Sequence, residues 1–295
     1  MLFRSVDDIL PFVDWSPFFW AFELKGVYPR ILEHKDYGKQ AKNLFEDAQK
    51  ILDVIRRKKI FKPRAVVGLW PANSNGDDVV IYQDDSRRFI LETAHFLRQQ
   101  DPTLPTTLSL SDFVAPKTSG LIDYFGGFVV STGPEVEVYA KSFEQDKDDY
   151  SAIIVKAIGD RLAEGLAEMM HKKIRDQWGY GKKEKLSPEE LIREEYRGIR
   201  PAPGYPACPD HTEKGLLWNL LSADENAGAT LTENYAIYPP SSVAGWYIGH
   251  PESKYFTLGK IGIDQVKDYA QRKGLNVDSV EKWLSPNLDY DPGVR

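Results

Sequence analysis

Between Asp149 and Gln177 the sequence carries an apolar stripe about eight helical turns long, in which Ile153, Ile154, Ala157, Ile158, Leu162, Leu166, Met169, Met170 and Ile174 recur at helical spacing. The stripe is wide, so the helix it predicts must be covered on more than one side and belongs at the centre of the fold. With 295 residues, and roughly 100–200 residues per domain, the chain has material for one large domain or two small ones around it.

The remaining elements are shorter. Ala41, Leu44, Phe45, Ala48, Ile51, Leu52 and Ile55 predict an amphipathic helix from about Gly38 to Lys59, and its basic end, Arg56 to Lys59, suits the helix dipole. An aromatic-rich opening precedes it (Phe12, Trp15, Phe18, Phe19, Trp20, Phe22). Strand-like runs lie at Ala65–Trp70, Asp78–Tyr82, Phe128–Ser131, Tyr235–Tyr238, Trp246–Ile248 and Tyr255–Leu258. The turn-forming residues from Pro71 to Asp77 predict a hairpin-like connection. Ser187-Pro188-Glu189-Glu190 is a helix start with a capping box, and that helix is expected to run to about Gly198. Further helices are predicted at Thr212–Leu221, Asp264–Lys273 with Gly274 as its stop, and Asp278–Leu284. The order lacks regular β-α-β alternation, and the later strands follow short turns. The expected class is therefore α+β with mainly antiparallel pairing.

Composition removes several functions. Lys and Arg number 38 against 44 Asp and Glu, a net charge of −6, which argues against a nucleic-acid binder. No run approaches the ~18 apolar residues of a membrane span. Arg4, Asp7 and Asp8 interrupt any export signal, so a cytoplasmic location is expected. The single cysteine, Cys208, excludes an intrachain disulfide and fits a reducing compartment. There is no G-x-G-x-x-G, phosphate loop or H-E-x-x-H, and the five histidines are scattered. Cys208, Asp210 and His211 could suggest a metal corner, but a turn followed by a helix N-cap accounts for them, and no metal is expected. The run Lys182–Lys185 reads as a solvated loop.

The segment Gly198–Pro209 holds four prolines and two glycines, which fix an extended path. Such a path could present Arg200 and backbone groups to a carboxylate ligand at low ordering cost, or could simply join two helices rigidly.

That run, RPAPGYPACPDHTEK, contains R-x-x-x-G-Y (Arg200, Gly204, Tyr205) and resembles the S-adenosylmethionine-binding activation domain of cobalamin-dependent methionine synthase. The likeness extends over nearly the whole chain through VDWSPFFWAFEL, DRLAEGLAE, WGYG, LSPEELIREEYRGIRPAPGYP, SSVAGWYIGHPESKYF and WLSPNLDYD. It implies one C-shaped domain, residues 1–295, with a curved and mainly antiparallel sheet flanked by helices. The implied function is to bind S-adenosylmethionine and supply its methyl group for reductive remethylation of cob(II)alamin, reactivating the enzyme that makes methionine from homocysteine. The implied partners are a separate cobalamin-binding domain and, as electron donor, flavodoxin or a flavoprotein reductase. The chain has no zinc-thiolate homocysteine site, no folate barrel and no D-x-H-x-x-G signature, so the resemblance makes it an excised domain or one working in trans. Its last residues, Asp289 to Arg295, match the C-terminal end of the family.

By motif, the resemblance assigns Asp14 and Glu164 to the ligand's α-amino group and Arg200 to its carboxylate. Tyr255 and Phe256 become a ligand-contact pair, backbone groups of Ala202 and Gly204 meet the adenosine part, and Tyr205 stands near the corrin. Asp160 and His211 are implied contacts to the neighbouring domain's cobalt-ligand histidine or to ordered water. No general base is implied, since a reduced cobalt nucleophile needs positioning above all.

The residues alone permit other readings. Asp14 could cap a helix start, and Asp160, Glu164 and Glu168 could form a solvated helix face. Tyr255 and Phe256 would face opposite ways on a strand. The turn Pro239–Gly245 could admit a flat macrocycle or form a corner. Two other functions stay open: a module that senses S-adenosylmethionine or docks a corrinoid protein without transferring methyl, and a hydrolase using Asp160 and Glu164. The basic segments Arg56–Lys59 and Lys182–Lys185 are candidate docking patches for the electron donor.

Overall fold

In the computed structural model, residues 2–3 and 5–293 are described; Met1, Arg4, Val294 and Arg295, which figure in the readings of the two chain ends, lie outside them. In chain order the elements are β1 (Leu2–Phe3), α1 (Val6–Ile9), α2 (Ser16–Trp20), α3 (Gly38–Lys58), β2 (Arg64–Asn75), β3 (Asp78–Tyr82), β4 (Ile90–His95), β5 (Asp123–Ser131), α4 (Glu135–Gln145) and α5 (Asp149–Trp178). Then follow α6 (Pro188–Ile192), α7 (Glu213–Leu221), α8 (Ala223–Asn226), β6 (Thr230–Leu231), β7 (Ile237–Tyr238), β8 (Ser242–Tyr247), α9 (Ile263–Lys273) and α10 (Val277–Trp283). Among the described residues the main sheet has the order β4-β3-β2-β5-β8, with β1 paired to β2 and a separate β6-β7 pair. The pairings β1–β2, β2–β3, β3–β4 and β6–β7 are antiparallel. The mixed α+β class with antiparallel pairing is thus borne out.

Contacts divide the chain into two compact units: residues 1–66, 129–196 and 222–243 form the first, and residues 67–128, 197–221 and 244–295 the second. In the first unit α5 is the organising element, packed against α1, α2, α3 and α4. Its apolar stripe is buried almost throughout, as expected for a central helix, with Ile153 the exposed exception. Gly165 permits the closest approach, because a Cβ there would stand 2.8 Å from Val13 Cγ2 and 3.1 Å from Ile9 Cγ2. The aromatic opening forms a cluster in which Trp15 and Phe19 meet Phe45 of α3 and Phe18 meets Trp15 and Phe19, with ring centroids 5.4–5.8 Å apart. In the second unit, Leu97, Leu258, Ile261, Val266, Tyr269, Val280 and Leu284 build one core. Phe125 stacks on Trp246 at 4.8 Å, and Phe128 on Tyr247 at 4.7 Å.

Several elements differ from the sequence expectation. Pro71 to Asn75 continue β2, leaving Gly76 and Asp77 as the turn. These turn formers are accommodated in a strand because their polar groups are bonded: Asn73 Nδ2 donates to Ala115 O at 2.9 Å and Ser74 Oγ to Val114 O at 2.8 Å. The helix begun by the Ser187 capping box ends at Ile192, not near Gly198, and Glu194 already has a positive φ of 56°. Of the run Tyr235–Tyr238, the last two residues pair, after Tyr235 at φ 56°. Tyr255–Leu258 is not a strand; Leu258 N–H donates to Pro206 O in the proline-rich loop at 2.8 Å.

Candidate ligand-binding site

The sequence-selected residues of the first unit gather around α5. Asp14 lies in the loop before α2, half-buried, and its Oδ1 accepts the Ser16 N–H at 2.8 Å. The N-cap position of α2 is Trp15 and carries no side-chain cap, so Asp14 does not cap the helix but makes an i→i+2 turn bond with one carboxylate oxygen. Val13, next to Asp14, packs at Gly165, next to Glu164. The acidic row along α5 is not a uniform solvated face. Asp160 is exposed, Glu164 is half-buried, and Glu168 is buried with the Tyr196 hydroxyl 3.1 Å from its Oε2. Asp160 accepts from Ser241 Oγ at 2.7 Å.

That serine belongs to the Pro239–Gly245 turn, and Thr132 N–H donates to Ser241 O at 2.9 Å. The expected turn is a bonded corner at Pro239–Ser241, and its remaining residues, Ser242 to Gly245, already belong to strand β8. Sequence reasoning noted its small residues but missed Ser241 as the partner of Asp160; the signal available was a Ser-Ser pair after two prolines, whose hydroxyls need partners once buried.

In the second unit the proline-rich segment forms a pinned turn. Ile199 exchanges both backbone hydrogen bonds with Ile248, at 2.9 and 3.0 Å, and Trp246 N–H donates to Pro201 O at 2.8 Å. Arg200 is half-buried, and its backbone N–H donates to the Tyr255 hydroxyl at 3.1 Å. The turn closes through Gly204 N–H to Cys208 O at 2.7 Å and Cys208 N–H to Tyr205 O at 2.9 Å. Gly204 has φ +95°, and a Cβ on it would stand 2.5 Å from His211 Cε1, so the backbone lies directly against the imidazole. Tyr205 is strongly exposed at the tip, Ala202 and Phe256 are half-buried, and Tyr255 keeps part of its ring exposed. Arg200, Ala202, Gly204, Tyr205, His211, Tyr255 and Phe256 are thus carried by one loop system.

Beneath the turn the electrostatics are tightly constrained. Burial and the Lys214 ammonium, 2.7 Å from Nδ1, depress the His211 pKa, so the ring is neutral at neutral pH. Asp210 accepts from Thr212 N–H and Oγ1, from the Tyr269 hydroxyl and from Lys273 Nζ, all within 2.8 Å. Burial acts to raise the Asp210 pKa, and the Lys273 charge overrides it and holds the carboxyl below its usual range. Burial pushes the Cys208 thiol well up, which leaves it protonated and unreactive. Asp210 forms the expected turn through Thr212 N–H, ahead of α7, which begins at Glu213. Among the described residues no group of three His, Cys, Asp or Glu is gathered to hold a metal ion.

Comparison with known proteins identifies the family of the chain. The family model "Vitamin B12 dependent methionine synthase, activation domain" matches residues 5–274. A solved structure, the crystal structure of the MetH reactivation domain bound to AdoHcy, is similar with TM-score 0.97 and 50% sequence identity, over 98% of this chain and 90% of that one.

Proposed function

We propose, from the premise that the chain belongs to the activation-domain family of vitamin B12-dependent methionine synthase, that residues 1–295 form one such domain, which binds S-adenosylmethionine and supplies its methyl group for reductive remethylation of cob(II)alamin. Two facts support this reading: the pinned turn that presents Arg200 and the Ala202–Gly204 backbone, and AdoHcy, the product of methyl donation, bound in the 50%-identical reactivation domain. Of these, the pinned turn carries it.

Arg200 pairs with the ligand carboxylate, while the Tyr255 hydroxyl is engaged by the Arg200 backbone and offers its ring, with Phe256, to the ligand. Backbone groups at Ala202 and Gly204 meet the adenosine part, and Tyr205, exposed at the tip, faces the corrin. Asp14 and Glu164 supply negative charge for the ligand's ammonium group; Asp160 and His211 take the contacts to the cobalamin domain. The corrin, carried by a separate domain, supplies a reduced cobalt nucleophile, and flavodoxin or a flavoprotein reductase supplies the electron. This chain's residues bind the donor, orient its methyl and exclude water, so none is assigned as a general base. Among the described residues no helix is long and apolar enough to cross a membrane, and we place the domain in the cytoplasm.

Isothermal titration of S-adenosylmethionine into the chain and into Arg200→Ala tests the reading. Saturable 1:1 binding is expected, weakened about 10–100-fold in the variant, the worth of a charge-assisted bidentate contact. A folded wild-type chain that does not bind would sink it. Methylation of cobalamin in a mixture with the cobalamin domain and electron donor then separates methyl supply from mere sensing.

A further inference from the structure

We infer that Lys273, at the end of α9, is a positioning residue for the ligand turn at residues 202–211, an inference that rests on the proposed binding of S-adenosylmethionine there. Its Nζ lies 2.7 Å from Asp210 Oδ2, from Thr212 Oγ1 and from Glu213 Oε1. The lysine is 63 positions from Asp210 in sequence, and its side chain is 9% exposed, with Asp210 at 5% and Glu213 at 3%.

Stability is a poor reason for such a cluster. Removing three ions from water costs about what their attraction returns, and apolar residues of the same volume would hold the core equally well. A buried ion cluster does impose geometry, because each charge must keep its partners. Here the geometry is transmitted to the turn. Lys273 fixes Asp210 and Thr212, the two neighbours of His211. The His211 ring fills the space where a Gly204 Cβ would be, and Gly204 N–H closes the turn on Cys208 O at 2.7 Å. The second oxygen of Glu213 accepts His95 N–H at 3.3 Å, which ties the cluster to β4. Tyr269, one turn before Lys273, donates its hydroxyl to Asp210 at 2.8 Å, so α9 grips this carboxylate twice. Lys273 touches no ligand-contact residue directly; it acts through His211 on the backbone at Gly204.

The test uses AdoHcy as titrant and the 1H–15N signal of the Gly204 amide, which reports the His211 ring current. Lys273→Met is expected to weaken AdoHcy at least tenfold and to move the Gly204 signal. Lys273→Met combined with Glu213→Gln removes one cation with one anion, which lets the protein fold if the single variant does not; both changes are expected to persist in it. Val280→Ala, a core truncation in α10, is the control for lost stability: affinity within twofold of wild type and an unmoved Gly204 signal are expected. A folded double variant with wild-type affinity and an unmoved signal overturns the inference, as does a Val280→Ala protein that loses both to the same degree. A wild-type chain that fails to bind AdoHcy defeats the functional reading instead, and the Gly204 signal still decides the positioning role.

Discussion

Gly204 concentrates two demands in one residue: a φ of +95° and a closest approach of backbone to the His211 ring. Gly204→Ala therefore meets backbone strain of about 1–3 kcal/mol and a steric conflict of similar size. The expected result is a lower urea midpoint together with AdoHcy binding weakened at least tenfold; unchanged titration would separate the turn from the ligand. Arg200 and Gly204 were legible in the sequence because proline and glycine fix backbone paths locally. Tyr255 was legible as a motif residue, but its hydrogen bond to the Arg200 backbone, 55 positions away, was not. The same holds for Ser241 with Asp160, 81 positions apart. Local patterns announce what a residue does to its own backbone, whereas a partner across the fold leaves no periodic trace.

Elements were legible in proportion to their burial contrast. The helices α3 and α5 carry long apolar stripes, and β3 was bounded to the residue. The helix α4 escaped notice because Val136 and Ala140 are its buried residues, and β4 because it begins with exposed Ile90, Leu91 and Glu92 and shows no alternation. The capping box of α6 was read correctly: Ser187 Oγ accepts Glu190 N–H at 3.2 Å, and Glu190 accepts Ser187 N–H at 2.7 Å. Losing the cap by Ser187→Ala costs about 1 kcal/mol. Because the helix is short and mostly exposed, the cost is expected locally, as roughly fivefold faster amide exchange at Glu190 with little change in global unfolding. On α5, Gly165→Ala gains about 1 kcal/mol of helix propensity and meets Val13 and Ile9 at a cost of about 1–3 kcal/mol. A net loss in urea stability is expected, and a net gain would show that α1 and its following turn can shift away from α5.

For the whole molecule, pH is the sharpest probe. Asp78, Asp112 and Asp210 are each raised by burial and lowered further by their partners: His95 and Arg272 for Asp78, Arg98 for Asp112, and Lys273 for Asp210. A carboxylate held below its ordinary value near 3.8 binds fewer protons folded than unfolded. The stability it contributes is present above that value and is lost as pH falls through the depressed one. Glu213, raised by burial above its ordinary value near 4.5, has the opposite sign, and its effect falls mainly above that pH, before the aspartates begin to lose theirs. The urea midpoint is expected to drop as pH falls below about 4, the ordinary carboxylate range. Asp112→Asn should lower the midpoint at pH 7 while flattening that drop, and an equally steep drop in the variant would assign it to other groups. The division of the chain has a further consequence. It passes from one unit to the other five times, and three of those passages lie inside β2, β5 and β8. Neither unit corresponds to one continuous stretch of gene, so recombination at any single point between residues 67 and 243 would leave both broken, and a protease cutting one loop would release neither. Gene exchange that keeps both units whole must carry their interleaved segments together.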